Sequence, residues 1–143
     1  GWLSFMTAVR QQASLSGKLR ELIIIRIALL NDAPYEAEQH RPFALREGCS
    51  AAQIDALGDW RGRPELFDAA ERTALALADQ LTRDVRIDDQ SFAAACARWS
   101  EREIVELVTT IASYNMVSRV LTALAIHSDD PRPAAQPPME TPR

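Results

Sequence analysis

The sequence predicts an all-α domain of six to seven helices. Apolar residues recur at helical spacing along most of the chain. Three capping boxes punctuate it: Ser50 with Gln53, Asp68 with Glu71, and Ser100 with Glu103. No stretch alternates apolar and polar residues as a half-buried strand would, and internal repeats are absent.

Taken in order, Trp2 to Ala13 reads as a first helix. Ser16 caps a second that runs to about Leu30. Pro34 suits the first turn of a third helix, which ends near Glu47 because Gly48 suits the exit. Pro42 removes one hydrogen bond inside it and predicts a local bend. Ser50 opens a short helix to about Trp60, and Arg61-Gly62-Arg63-Pro64 reads as a loop. Asp68 opens a helix to about Thr82, and Asp88 or Asp89 caps another that ends near Trp99. Ser100 opens the longest, which reaches Ile126 and spans roughly 40 Å at 1.5 Å per residue. The predicted domain is therefore residues 1–127. Residues 128–143 are rich in proline and read as a disordered tail.

A chain of 143 residues with 47% hydrophobic and 25% charged residues suits one globular domain with a sizeable core. The net charge of -4, with Lys and Arg scattered, gives no nucleic-acid footprint. Leu22 to Leu30 is too short for a membrane span and carries Arg26. Cys49 and Cys96 have neither metal nor redox spacing, so a reducing cytoplasm is the default expectation. The sequence leaves open what precedes Gly1.

The candidate site gathers around the second and third helices. Glu21 starts a nearly all-apolar helix, and Glu36 and His40 follow at i and i+4 on the next. Glu36, His40, Phe43 and Glu47 share one face. A carboxylate beside an imidazole fixes its tautomer and equips it for proton transfer near neutral pH. The expectation is that Glu36 bonds His40 within one helical turn and Glu21 joins from the neighbouring helix. The same three groups would equally form a salt-linked cluster that only holds two helices together.

Tyr35, Tyr114, Asn115 and Arg26 are candidate substrate-binding residues. Each has a plainer alternative: packing for Tyr35, a helix interface for Tyr114 and Asn115, an acidic partner for Arg26. Cys49 and Cys96 read as inert small residues, and His127 as a cation at a helix end. Glu36 and His40 offer two metal ligands on one face with only Glu21 as a third, so no metal and no other cofactor is expected.

Leu19-Arg20-Glu21-Leu22-Ile23, Arg26-Ile27-Ala28, Tyr35-Glu36 and His40 resemble the carboxymuconolactone decarboxylase and AhpD-like alkylhydroperoxidase family. Glu103 to Val108 and Tyr114 to Val117 resemble its closing helix, so the likeness covers about Leu15 to Ile126. It implies an all-helical fold assembled as a trimer or hexamer. Redox members carry a Glu, a Cys-x-x-Cys pair and a His. Laid on this chain, Glu and His fall at Glu21 and His40, and the two thiols at Ala33 and Glu36. A thiolate route to peroxide reduction is thus not supported.

The resemblance implies instead a cofactor-free acid-base enzyme acting on a small organic acid or lactone. That covers a decarboxylase or a related isomerase, cyclase or hydrolase. In it His40 would protonate the substrate, Glu36 would orient His40, and Glu21 would shuttle or position the proton. The alternative is a non-catalytic oligomeric module that binds a ligand or a protein; a thiol peroxidase ranks third. A homo-oligomer is expected because the second helix is apolar all round and the last has surplus apolar surface.

Overall fold

A computed structural model describes residues 1–126; His127 and the proline-rich segment lie outside the described residues. Among them are seven α-helices and no strand. They are α1 (Trp2–Gln11), α2 (Gly17–Leu30), α3 (Pro34–Arg46), α4 (Ala51–Ala56), α5 (Ala69–Arg83), α6 (Asp89–Cys96) and α7 (Glu101–Ala123).

The caps do what their side chains dictate. Ser16 accepts from the Leu19 amide, and all three capping boxes close in both directions. Asp88 rather than Asp89 caps α6, accepting from the Ser91 amide. Pro34 occupies the first turn of α3, and Gly48 leaves it at φ +93°, a backbone state glycine adopts without cost. Pro42 is accommodated within α3, which continues to Arg46.

Three boundaries differ from expectation. α4 stops at Ala56, and 3₁₀ segments Leu57–Gly62 and Pro64–Leu66 replace both the rest of that helix and the expected loop. Buried Leu57, Trp60 and Phe67 anchor this irregular path, so tertiary packing overrides the local pattern. α6 ends at Cys96 and α7 at Ala123, each three residues short of the expected limit.

α2 is the axis of the domain. It packs against α3, α5 and α7, and Leu22, Ile23, Ile24 and Ile27 are wholly buried. Ile23, Ile24 and Ile27 join α5 and α7 side chains in one apolar cluster, while Leu22 and Ile25 join Leu57, Trp60 and Phe67 in a second. Its all-round apolar character is therefore satisfied inside one chain and gives no argument for a partner subunit. Apart from Leu29 near the end of α2, the exposed large apolar residues lie elsewhere, among them Trp2, Leu3 and Phe5 of α1 and Val105 and Val120 of α7.

After α5 the chain turns at Val85, whose φ is 59°. The left-handed region costs an L-residue roughly 1–2 kcal/mol and suits a β-branched one least. The side chain is 77% exposed, so little packing would be lost with it. Val85→Gly is expected to stabilise the domain by about 0.5–1 kcal/mol after the extra unfolded-state entropy of glycine is subtracted. A urea midpoint that falls instead would show that this turn is not strained.

Candidate functional site

The α2–α3 connection is three residues long, Asn31 to Ala33, with Asp32 at φ 51°. Aspartate tolerates this left-handed state better than most residues. The tight turn folds α3 back along α2 and lays His40 beside Glu21. His40 Nδ1 lies 2.6 Å from Glu21 Oε2. Glu21 is wholly buried, and the His40 side chain is 12% exposed. A carboxylate oxygen accepts only from a nitrogen that carries hydrogen, so Nδ1 is the protonated one. Nε2 has no partner among the described residues and is not cut off from solvent.

The second oxygen of Glu21 faces Arg20 Nε at 3.4 Å and Arg10 Nη2 at 3.9 Å. Around the imidazole, Tyr114 packs edge-on with ring centroids 5.3 Å apart, and Phe43 lies at 5.8 Å. Arg10 and Arg46 lie over the Phe43 ring at 4.9 and 4.4 Å, so two guanidiniums pack on the ring that neighbours the histidine. Burial pushes the Tyr114 hydroxyl well above the usual phenol range; Arg10 and Arg20 draw it down while Glu21 and Glu36 raise it further. The hydroxyl thus stays protonated, able to donate.

Glu36 differs from the expectation. It does not bond His40; the Ser118 hydroxyl of α7 donates to its Oε2. Its other oxygen, Oε1, is the one solvent-excluded side-chain polar atom without a partner among the described residues. Burial lifts its pKa to about 7, and the Ser118 bond offsets this only in part. The roles are therefore exchanged: Glu21 orients His40, and Glu36 is a separate buried acid one turn back on α3. The reason is the crossing geometry, since α2 presents Glu21 to the ring nitrogen while α7 presents Ser118 to Glu36.

The other candidates disperse. Arg26 sits five residues beyond Glu21, roughly 140° around the helix. It gives Nε to Asp79 at 2.6 Å and Nη1 to the carbonyls of Leu57 and Gly58, so it ties α2 to α5 and is no substrate clamp. Asn115 is buried and bridges Thr82, the Ile111 carbonyl and Asn31, joining three helices rather than lining a pocket. Tyr35 lines a cavity of about 280 Å³ between the α2–α3 turn and the end of α7, which Ala33 and Thr122 also line. Only Tyr114 of these four meets the histidine.

Sequence reasoning missed Ser118, Arg10 and Arg46. Ser118 was legible in one respect, because it follows Tyr114 by four residues on the same face of α7. Nothing local connects Arg10 with Phe43, which lies 33 positions later. Among the described residues no three His, Cys, Asp or Glu side chains are grouped to hold a metal. Cys49 is buried at the exit of α3, and burial pushes its thiol up to about 11; Cys96 is exposed, and the two are unpaired. No helix among the described residues is long and apolar enough to cross a membrane.

This chain belongs to the carboxymuconolactone decarboxylase family, whose profile matches residues 1–80, more than half of its length. The uncharacterized protein YdfG of Bacillus subtilis (strain 168) is 26% identical over 121 residues, 83% of this chain and 82% of that one. Two crystal structures share the fold. One, from Agrobacterium tumefaciens, is described as a protein of unknown function and candidate antioxidant defence protein AhpD. It has a TM-score of 0.82 and 22% identity over 88% of this chain and 86% of that one. The other is an uncharacterized peroxidase-related protein from Silicibacter sp. TM1040. It has a TM-score of 0.78 and 21% identity over 88% of this chain and 67% of that one.

Proposed function

We propose that this chain is a cofactor-free acid-base enzyme acting on a small organic acid or lactone. The observation that carries the reading is the buried Glu21 carboxylate on His40 Nδ1, which leaves Nε2 without a partner among the described residues on a side chain that is 12% exposed. Such a pair holds a ring nitrogen in one orientation and one tautomer, as a general acid or base requires. In a decarboxylation the carbon–carboxylate bond breaks and carbon dioxide leaves. The electron pair remains on carbon or in an enolate, and His40, acting as an imidazolium with Nδ1–H on Glu21, delivers its Nε2 proton to that carbon and is left neutral. Solvent then reprotonates His40. Arg10 and Arg46 would hold an anionic substrate group over Phe43 while Tyr114 supplies a hydroxyl. An isomerase, cyclase or hydrolase would use the same groups.

Ala33 and Glu36 stand where redox relatives carry thiols, and Cys49 is held as a thiol far above neutral pH. Changing both Cys49 and Cys96 to Ser is therefore expected to leave the activity largely intact. Thiol-dependent peroxide turnover lost in that variant would restore a peroxidase reading.

One observation favours a non-catalytic module: none of the five cavities described around the fold is lined by Glu21, Glu36 or His40. A thermal-shift screen of small keto acids and lactones, followed by turnover assays on those that stabilise the protein, separates the two. Turnover of a ligand that stabilises the wild type supports the enzyme; stabilisation without turnover, or no stabilising ligand at all, favours the non-catalytic module. A cytoplasmic homo-oligomer is part of the proposal, with the exposed α1 and α7 side chains as the contact. Light scattering that shows a clean monomer at micromolar concentration contradicts that part.

A further inference from the structure

A second cluster of charge lies on the side of the domain built by α5 and α6. A cavity of about 400 Å³ opens there, a volume suited to a small metabolite. Arg61, Arg72 and Arg98 line it, from a 3₁₀ segment, α5 and the α6–α7 turn, and no acidic side chain does among the described residues. It shares no lining residue with the Glu21–His40 cluster.

The charges are not balanced from within. Arg61 reaches Asp79 at 3.2 Å, but that carboxylate already accepts from Arg26 at 2.6 Å and Trp60 Nε1 at 3.3 Å, with Arg83 at 3.7 Å. Arg72 is half-buried, gives Nη1 to the carbonyls of Pro64 and Phe67, and has no acidic partner among the described residues. Arg98 gives Nε to Thr73 Oγ1 at 3.0 Å, and it too has no acidic partner there. Each guanidinium carries five N–H donors in a fork that matches an oxyanion, and only part of each set is used.

Neutral donors complete the surface. Gln90 and Ser91 line the cavity from the first turn of α6. The Ser91 oxygen accepts from Gln80, and its hydroxyl also reaches the Asp88 carboxylate, so Gln90 is the freer of the two donors. A half-buried cation without a counter-ion is unfavourable unless something anionic compensates it. We propose that this cavity binds a small doubly charged oxyanion, a phosphate group or a dicarboxylate, held by Arg72 and Arg98 with Arg61 at the rim.

The test is a backbone amide titration of the isotope-labelled full chain with inorganic phosphate and, separately, succinate, at low ionic strength. The expected result is saturable shifts at Thr73, Gln90 and Ser91 with at least one dianion and none with chloride at matched ionic strength. Tighter binding of phosphate assigns a phosphate-bearing ligand; tighter binding of succinate assigns a dicarboxylate. Arg98 is exposed, so Arg98→Gln should fold, and it is expected to weaken binding about tenfold, one charge-assisted hydrogen bond. Arg63→Gln removes a charge outside the cavity, where Arg63 pairs with Glu65, and should change nothing. Shifts that never saturate, or binding equal in wild type and Arg98→Gln, would mean an adventitious ion only and overturn the proposal.

Discussion

Replacing His40 by glutamine is expected to reduce turnover about 10²- to 10⁴-fold, the range a positioned proton donor contributes. Glutamine can still donate to Glu21 through its amide, so the fold should survive, but it has no group that titrates near neutral pH. The effect should fall on kcat, because the proton moves in the reaction and not in binding. Arg46→Gln, at the rim, should instead raise KM with a smaller change in kcat. The melting temperature of each variant must stay close to the wild type for the comparison to stand. Turnover retained within a few-fold in a folded His40→Gln protein would remove histidine from the mechanism.

Replacing Glu36 by glutamine should stabilise the protein above neutral pH and do nothing at pH 4. The sign follows from the raised pKa, from an ordinary 4.5 to about 7 in the fold. Below pH 4.5 the residue is protonated folded or unfolded and has no effect on the pH slope. Between these values the folded state keeps its proton while the unfolded state loses it, so stability falls as pH rises. Above about 7 the folded state must hold a buried charge, and the whole penalty is present. The shift corresponds to about 3 kcal/mol. Glutamine keeps the shape and accepts from Ser118 without ever ionising. Urea unfolding at pH 4, 6 and 8 measures this. Equal stability of wild type and Glu36→Gln at pH 8 would mean that Glu36 is hydrated or paired in solution.

The pH dependence also bears on chemistry. A carboxyl that titrates near 7, a turn away from a histidine, is suited to giving or taking a proton under ordinary conditions. Glu36→Gln thus has two readouts, and a gain in stability together with a loss of turnover would assign the residue to function rather than to packing.

Much of the architecture was written in short stretches of sequence. Capping boxes act over three or four residues, and Ser50, Asp68 and Ser100 each open the helix their pattern announces. Pro34 and Gly48 bracket α3 for equally local reasons. The central burial of α2 followed from its apolar composition, although its cover proved to be its own chain rather than a partner. The 3₁₀ path from Leu57 to Leu66 was not legible, because long-range burial of Leu57 and Trp60 sets it and no local motif does.

At the site, the sequence by itself determined that Glu21, Glu36 and His40 lie on two consecutive helices joined by a three-residue turn. It also determined that the family's thiols are replaced. Helical periodicity fixes which residues share a face, and Glu36 and His40 do share one. It cannot fix how two helices cross, and the crossing decides which acceptor comes within 3 Å of a ring nitrogen. Only the tertiary structure gave His40 to Glu21 and Glu36 to Ser118, and turned Arg26 inward to Asp79. The difference is physical: local hydrogen bonds are encoded within a turn, whereas the protonation of Glu36 depends on burial that α2, α3 and α7 create together.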